Sequence, residues 1–194
     1  MLLAAVFMTV SEYHEKHMNN KHIATKRLLL RKLKETDAEP IFRNWASDPE
    51  ATKYLTWNPH ENVEATKQLV RFWIEEEKKP ETIRFLITLK DKDEPIGCID
   101  VVRYIDGNPE IGYCLSRKYW NQGLMTEACK AFIQYLFDAG FQKILIKAME
   151  ENVGSNRVIE KCGFKFVGKE RVDHQSDFKP DPATLNYYEL VQKR

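Results

Sequence analysis

Apolar and polar positions alternate along this chain in two rhythms, and the order of those rhythms predicts the fold. Arg27 to Lys34 (RLLLRKLK) is a short apolar run bounded by charge and reads as a first strand. Thr36-Asp37 offers a helix N-cap, Ala38 to Ala46 a short helix with Pro40 in its first turn, and Ser47-Asp48-Pro49-Glu50 a turn or second helix start. After the loop Trp57-Asn58-Pro59-His60, the segment Val63 to Glu77 carries Ala65, Leu69, Phe72 and Trp73 at near-helical spacing. Beyond Pro80 the period changes. Ile83 to Leu89, Ile96 to Tyr104 and Glu110 to Ser116 read as strands, separated by the charged turn 90–95 and by Asp106-Gly107-Asn108-Pro109. Such closely spaced strands predict an antiparallel meander.

Helical spacing returns from Gly123 to Asp138, with Met125, Ala128, Cys129, Phe132 and Leu136 on one face and Ala139-Gly140 as the stop. Lys143 to Met149 then reads as a strand, parallel to its predecessor because a helix joins them. A helix over Asn156 to Lys161 follows, then strands around Phe164 to Val172 and Asn186 to Val191, across an Asp- and Pro-rich loop, 173–184. The predicted class is a mixed α/β (α+β) sheet, a meander beside a central strand–helix–strand unit. Nothing divides the chain after residue 25, so 25–194 is expected to form one domain.

Residues 1–24 are expected to be a mobile extension. The apolar run Met1 to Met8 is too short to span a bilayer and lacks a basic n-region, and Met8 or Met18 offers an alternative start. His14 and His17 are spaced by three rather than four, which departs from the zinc-protease arrangement, and no metal is expected.

Composition narrows the partners. Of 194 residues, 43% are apolar and 30% charged, as in a soluble globular protein. Lysine and arginine number 30 against 29 acidic residues, which gives no electrostatic reason to expect nucleic acid or membrane as partner. The four cysteines, Cys98, Cys114, Cys129 and Cys162, lie in apolar contexts without metal-ligand spacing. They read as reduced, buried thiols of a cytoplasmic protein.

The candidate chemistry sits at two junctions. Tyr119-Trp120-Asn121-Gln122-Gly123-Leu124-Met125-Thr126-Glu127-Ala128 joins a strand to a helix through a polar turn. The first N–H groups of a helix have no intrahelical acceptors, and the helix dipole adds positive potential there, so such a turn can hold an anion. By itself the stretch reads equally well as an ordinary connection. Asn152-Val153-Gly154-Ser155-Asn156, running on to Gly163-Phe164, repeats the arrangement after the next strand. Two such entrances can set hydrogen-bonding groups on one side of a sheet.

These segments resemble the GNAT superfamily of acetyl-coenzyme A-dependent N-acetyltransferases over roughly Thr25 to Gln192, and within it the ribosomal-protein-alanine N-acetyltransferase branch. The resemblance is carried by Thr25-Lys26-Arg27-Leu28-Leu29-Leu30-Arg31, Glu110-Ile111-Gly112-Tyr113, the Trp120 to Ala128 stretch and Asn152 through Phe164. It implies an acyl-coenzyme A N-acyltransferase fold in which two parallel strands splay apart. The family's pyrophosphate loop runs Arg/Gln-x-x-Gly-x-Gly/Ala. Here Gly123 matches the central glycine, Trp120 stands first, and Met125 departs from the small final residue. By resemblance, Trp120, Asn121, Gln122, Gly123, Leu124, Met125 and Thr126 hold the pyrophosphate.

Tyr113, Cys114, Leu115 and Ser116 match positions facing the pantetheine and thioester, with an oxyanion donor near Cys114 or Leu115. Asn152 and Asn156 match positions at the pantetheine and the helix entrance. Without the family pattern they read as a turn residue and a cap. Many relatives carry a tyrosine acid where this chain has Ile159. Ser155 matches a serine that the ribosomal-protein branch offers to the departing sulfur, and it also reads as a first-turn serine satisfying local backbone. Tyr187 and Tyr188 are weaker substitutes. Glu110 is the candidate base or water-positioning group, or else a surface carboxylate at a strand start.

The implied cosubstrate is acetyl-coenzyme A, with no metal. The implied acceptor is a protein N-terminus or a small amine such as an aminoglycoside, polyamine or amino acid, handled by a monomer or homodimer. Trp57, His60, Phe72, Trp73 and loop 173–184 are candidate pocket walls, although Trp73 reads better as core. A non-catalytic acyl-coenzyme A-binding regulator and a pure interaction domain are the competing classes.

Overall fold

A computed structural model describes residues 22–173 and 182–193. The expected mobile extension up to residue 21 and most of the loop at 174–181 lie outside the described residues. The sheet starts earlier than expected, because His22–Ala24 (β1) pairs antiparallel with Leu28–Arg31 (β2). Thr25 closes the turn between them, its N–H reaching the Leu28 carbonyl at 2.9 Å.

The meander follows as Arg84–Leu89 (β3), Pro95–Ile105 (β4) and Asn108–Leu115 (β5), all antiparallel. Its last turn needs only Asp106-Gly107, both at positive φ (50° and 76°), so Pro109 joins the strand opposite Tyr104. Two left-handed residues in a two-residue loop match the right-handed twist of the hairpin. Lys143–Met149 (β6) lies parallel to β5, and Ala183–Val191 (β8) runs antiparallel between β6 and Lys165–Val172 (β7). The described strands thus form one eight-stranded sheet in the order β1-β2-β3-β4-β5-β6-β8-β7.

Helices cover both faces. Ala38–Ile41 (α1), continuing through a wider π-type turn at Phe42–Ala46, and Val63–Glu76 (α3) pack on one side, with Pro49–Thr52 (α2) between them in sequence. Leu33, Ala38, Ile41, Trp45 and Val70 meet Leu86, Cys98 and Cys114 there. Leu124–Asp138 (α4) fills the other side, its Leu124, Ala128, Cys129, Phe132 and Leu136 face buried against Leu28, Leu30, Phe85, Ile87 and Ile99. Val153–Lys161 (α5) completes that layer.

The sheet is pinned beneath α1 by a buried ion pair. Arg31 donates to both Asp37 oxygens at 2.8 Å, and Asp37 also accepts the Lys34 N–H at 2.8 Å. The side chains are 9% and 6% exposed, and Arg31 Nε reaches a second carboxylate, Asp93, at 2.5 Å, so the buried guanidinium is held from two sides. The expected N-cap at Thr36-Asp37 is therefore corrected: Asp37 is drawn to Arg31, and no side-chain cap bond forms on α1.

Candidate active site

Strands β5 and β6 share only two rungs, Glu110↔Leu145 and Ile111↔Ile146. β5 continues to Leu115 with β4 alone, while β6 continues to Met149 with β8 alone. The parallel pair therefore splays after Ile111, the opening implied by the family pattern. Successive residues of a strand direct their N–H groups to opposite edges. The Ser116 N–H donates to the Ile96 carbonyl at 2.7 Å, so the even-numbered residues of β5 turn their amides to β4. The amides of Tyr113 and Leu115 consequently face the opening. Of the expected oxyanion donors, the geometry selects Leu115 over Cys114, and Ser116 has only its side chain to offer.

Trp120 seals the end of β5. Its indole N–H donates to the Leu115 carbonyl at 2.8 Å while its ring stays 40% exposed. Asn121 and Gly123 then take left-handed conformations, φ 59° and 72°, which tip the chain into α4. The first helical N–H with a partner is that of Glu127, 3.0 Å from the Gly123 carbonyl. The N–H groups of residues 121–126 have no acceptor among the described residues. They lie at the positive end of a 15-residue helix, a cradle suited to a pyrophosphate. Met125, the departure from the family pattern, is 5% exposed and packs into the core, so its bulk leaves the N–H face clear.

The cradle is tied to the start of the sheet by residues a hundred positions away. Glu127 accepts from the Thr25 hydroxyl at 2.7 Å, the Arg27 N–H at 2.8 Å and Arg27 Nε at 2.7 Å. Arg27 Nη1 donates to the Gln122 carbonyl at 2.9 Å. Burial works against the Glu127 charge, but the bonds from Thr25 and Arg27 hold its carboxyl below the ordinary range. Sequence reasoning quoted Thr25 and Arg27 only as family markers. No local pattern signals a contact across that separation.

The second entrance begins earlier than the expected Asn156. Asn152 caps α5 by accepting the Ser155 N–H at 3.1 Å, which starts the helix at Val153. Asn156, one turn inside, serves the protein. Its amide donates to the Met149 and Asn152 carbonyls at 2.9 and 2.8 Å, and its oxygen accepts from Tyr188 Oη at 2.7 Å and Asn186 at 3.1 Å. That exhausts the hydrogen-bonding capacity of an amide side chain. Asn156 thus fixes the end of β6 against α5 and β8, and its side chain has nothing left for a ligand. Ser155 Oγ lies 3.0 Å from Tyr113 Oη, linking α5 to the splayed part of β5. Tyr113 was aligned by resemblance with the pantetheine-facing backbone, and its phenol went unassigned.

Glu110 is 3% exposed, at the last rungs before the strands part. It is therefore no surface carboxylate. One oxygen is 3.1 Å from Arg103 Nη2 and the other 3.6 Å from Lys147 Nζ. The register of β4 slips between Val101 and Arg103, and this bulge brings Arg103 opposite Glu110. A Cβ on Gly112 would come within 2.7 Å of Val102 Cγ2, so any larger residue there would have to push the exposed Val102 side chain aside.

Cys114 offers no nucleophile at the opening: it is buried, with its Sγ 3.5 Å from that of Cys98, and that contact together with burial pushes its thiol up. Tyr187 turns instead to Glu170, at 3.2 Å. Trp73 packs on the core with Arg84 4.6 Å over its ring, as expected, and Trp57 packs there too, while Phe72 is 58% exposed. His60 is held by Thr66 at 2.7 Å, with burial lowering its pKa. Among the described residues no three metal-binding side chains cluster, and no helix is long and apolar enough to cross a membrane.

Comparison with known proteins bears on the fold and the family. The uncharacterised N-acetyltransferase p20 of Bacillus licheniformis is 32% identical over 147 residues, 74% of this chain and 82% of that protein. A GNAT-family acetyltransferase from Bacillus anthracis superposes with a TM-score of 0.74 at 26% identity, covering 88% of this chain and 98% of that one. RimL, a ribosomal L7/L12 α-N-protein acetyltransferase solved with coenzyme A, shares the fold at a TM-score of 0.74 and 21% identity, over 88% and 97% of the two chains. Residues 27–165 match the family described as the acetyltransferase (GNAT) domain, and the chain belongs to that family.

Proposed function

We propose that this acetyltransferase passes an acetyl group from acetyl-coenzyme A directly to a primary amine, with a protein N-terminal α-amine as the preferred acceptor. The observation that carries this reading is the run of unpartnered N–H groups at residues 121–126, at the mouth of the gap between β5 and β6. Bound acetyl-coenzyme A supplies the acetyl group as a thioester whose thiolate is the leaving group. The cradle amides bind its pyrophosphate, each charge-assisted bond contributing roughly 1.5–3 kcal/mol. The Leu115 amide is aimed to polarise the acetyl carbonyl. The Ser155 hydroxyl donates to the departing sulfur.

The α-amine preference follows from the acceptor's own acidity. Each oxygen of Glu110 faces a cation, which fixes the carboxylate beside the opening where it can orient a water. An α-amine, with a pKa of roughly 8, needs little help, whereas a lysine amine at roughly 10.4 needs much more. The test measures thiol release from acetyl-coenzyme A with peptides bearing free N-termini, N-blocked lysine peptides, polyamines and aminoglycosides. Turnover is expected with the free N-termini. Turnover with small amines alone would reassign the acceptor, and thermal stabilisation by coenzyme A without any turnover would identify a binding module instead.

A further inference from the structure

We propose that Tyr113 is a positioning residue for acetyl transfer: its phenol holds the Ser155 hydroxyl so that the serine proton points at the departing sulfur. This inference rests on the role given to Ser155 above. Tyr113 Oη has two neighbours that can accept its proton, Ser155 Oγ at 3.0 Å and the Ser155 carbonyl at 3.2 Å. Both belong to one residue, whose main chain is itself fixed by the bond from its N–H to Asn152 Oδ1. The tyrosine comes from the splayed part of β5 and the serine from the first turn of α5, so the pair spans the layer that borders the opening.

A serine hydroxyl has one proton and two lone pairs. If Tyr113 donates to Oγ, the serine proton is free to turn outward. If Tyr113 donates to the carbonyl, the serine proton can return to the phenol oxygen. A thiolate is a stronger acceptor than a neutral phenol, so charge on the sulfur selects the first arrangement. Without Tyr113, the Oγ rotor has no fixed partner and must be ordered at the moment of reaction. Hydrogen bonds in series also polarise one another, which strengthens the serine as a donor.

Tyr113 is not itself the proton source. It is partly buried, and the desolvation of its phenol raises its pKa far above the ordinary range. In this step the electrons of the C–S bond remain on sulfur, the serine keeps its proton, and the thiolate is later protonated by solvent. The amine proton passes to a water at the opening and on to solvent. Tyr113 contributes an orientation and no proton.

Titration of the coenzyme A thiol while it is bound, followed by thiolate absorbance, tests this without an acceptor. The same protein carrying desulfo-coenzyme A serves as blank and removes the signals of Cys129, Cys162 and the tyrosines. In the wild type the midpoint is expected about one pH unit below that of free coenzyme A, because the serine bond favours the anion. Ser155→Ala should abolish the shift, Tyr113→Phe should remove more than half of it, and the double variant should do no more than Ser155→Ala. Affinity for desulfo-coenzyme A should be unchanged in Tyr113→Phe; a purely packing role would weaken it. Replacement of Tyr113 by 3-fluorotyrosine, which keeps the ring and sharpens the donor, should lower the midpoint further and covers a failure of the phenylalanine variant to fold. A wild-type shift that survives in Tyr113→Phe overturns the inference alone. A wild-type midpoint equal to that of free coenzyme A removes the Ser155 role beneath it as well.

Discussion

Replacing Glu127 by Gln isolates what the tie between the cradle and the sheet contributes. One oxygen of Glu127 accepts from the Thr25 hydroxyl and the Arg27 N–H, and the other from Arg27 Nε at 2.7 Å. Glutamine keeps the shape and one oxygen, so the first pair of bonds survives. Its NH2 group then faces Arg27 Nε, donor against donor, and the guanidinium is released. A charge-assisted bond is worth about 1.5–3 kcal/mol, but Arg27 is 43% exposed and water replaces much of it. A loss of about 1 kcal/mol remains, or about 2–4 °C in Tm for a chain of this size.

The loop should respond as well. Arg27 Nη1 holds the Gln122 carbonyl at 2.9 Å, within the cradle itself. If that restraint is lost, binding must order the turn, and coenzyme A affinity should fall by about fivefold, again roughly 1 kcal/mol. Differential scanning fluorimetry and calorimetric titration with coenzyme A measure the two effects side by side. A lower Tm with an unchanged Kd would show that the cradle keeps its geometry without Arg27. No change in either would show that the tie does not form in solution.

Other expectations follow from the same geometry. Gly123→Ala should cost about 1–2 kcal/mol, because φ is 72° while the nearest atom to the new Cβ is Arg27 Nη2 at 3.7 Å; Gly123→Asn, which tolerates the left-handed region, should cost less in a denaturant melt. Asp37→Ala should destabilise by about 1.5–3 kcal/mol, because Arg31 loses both bonds to Asp37 but keeps its ion pair with Asp93, while acetyl transfer at a temperature where the fold persists is unchanged. The Glu127 carboxyl is depressed on folding, so its contribution is complete above its unfolded pKa of about 4.3 and lost as pH falls through the lower folded value. The Tm gap between wild type and Glu127→Gln should therefore close as pH falls below about 4.3, and a constant gap would refute the assignment.

Particular segments divide what was legible from what was not. The strands from Ile83 to Leu115 and the apolar face of Leu124 to Asp138 were read directly, because a sheet covered on both faces buries short apolar runs between turns and a packed helix repeats its apolar face at helical spacing. Lys143 to Met149 was read to the residue. Short elements were misjudged at their ends. The first strand predicted is half the length expected, and the last helix starts at Val153, capped by Asn152, since a cap is decided by which side chain reaches which N–H. The anion cradle was legible at Gly123, where the strand-to-helix turn is written in the local sequence.

The chain by itself therefore determined the order of its elements, the parallel crossover that creates an opening, and the turn suited to an anion. Folding alone decided the roles within the opening: Tyr113 against Ser155, Thr25 and Arg27 against Glu127, Asn156 occupied by Tyr188, and Glu110 buried between two cations. Local spacing encodes secondary structure because its hydrogen bonds and side-chain period are local. Contacts between residues up to a hundred positions apart depend on sheet order and splay, and no window along the sequence contains them.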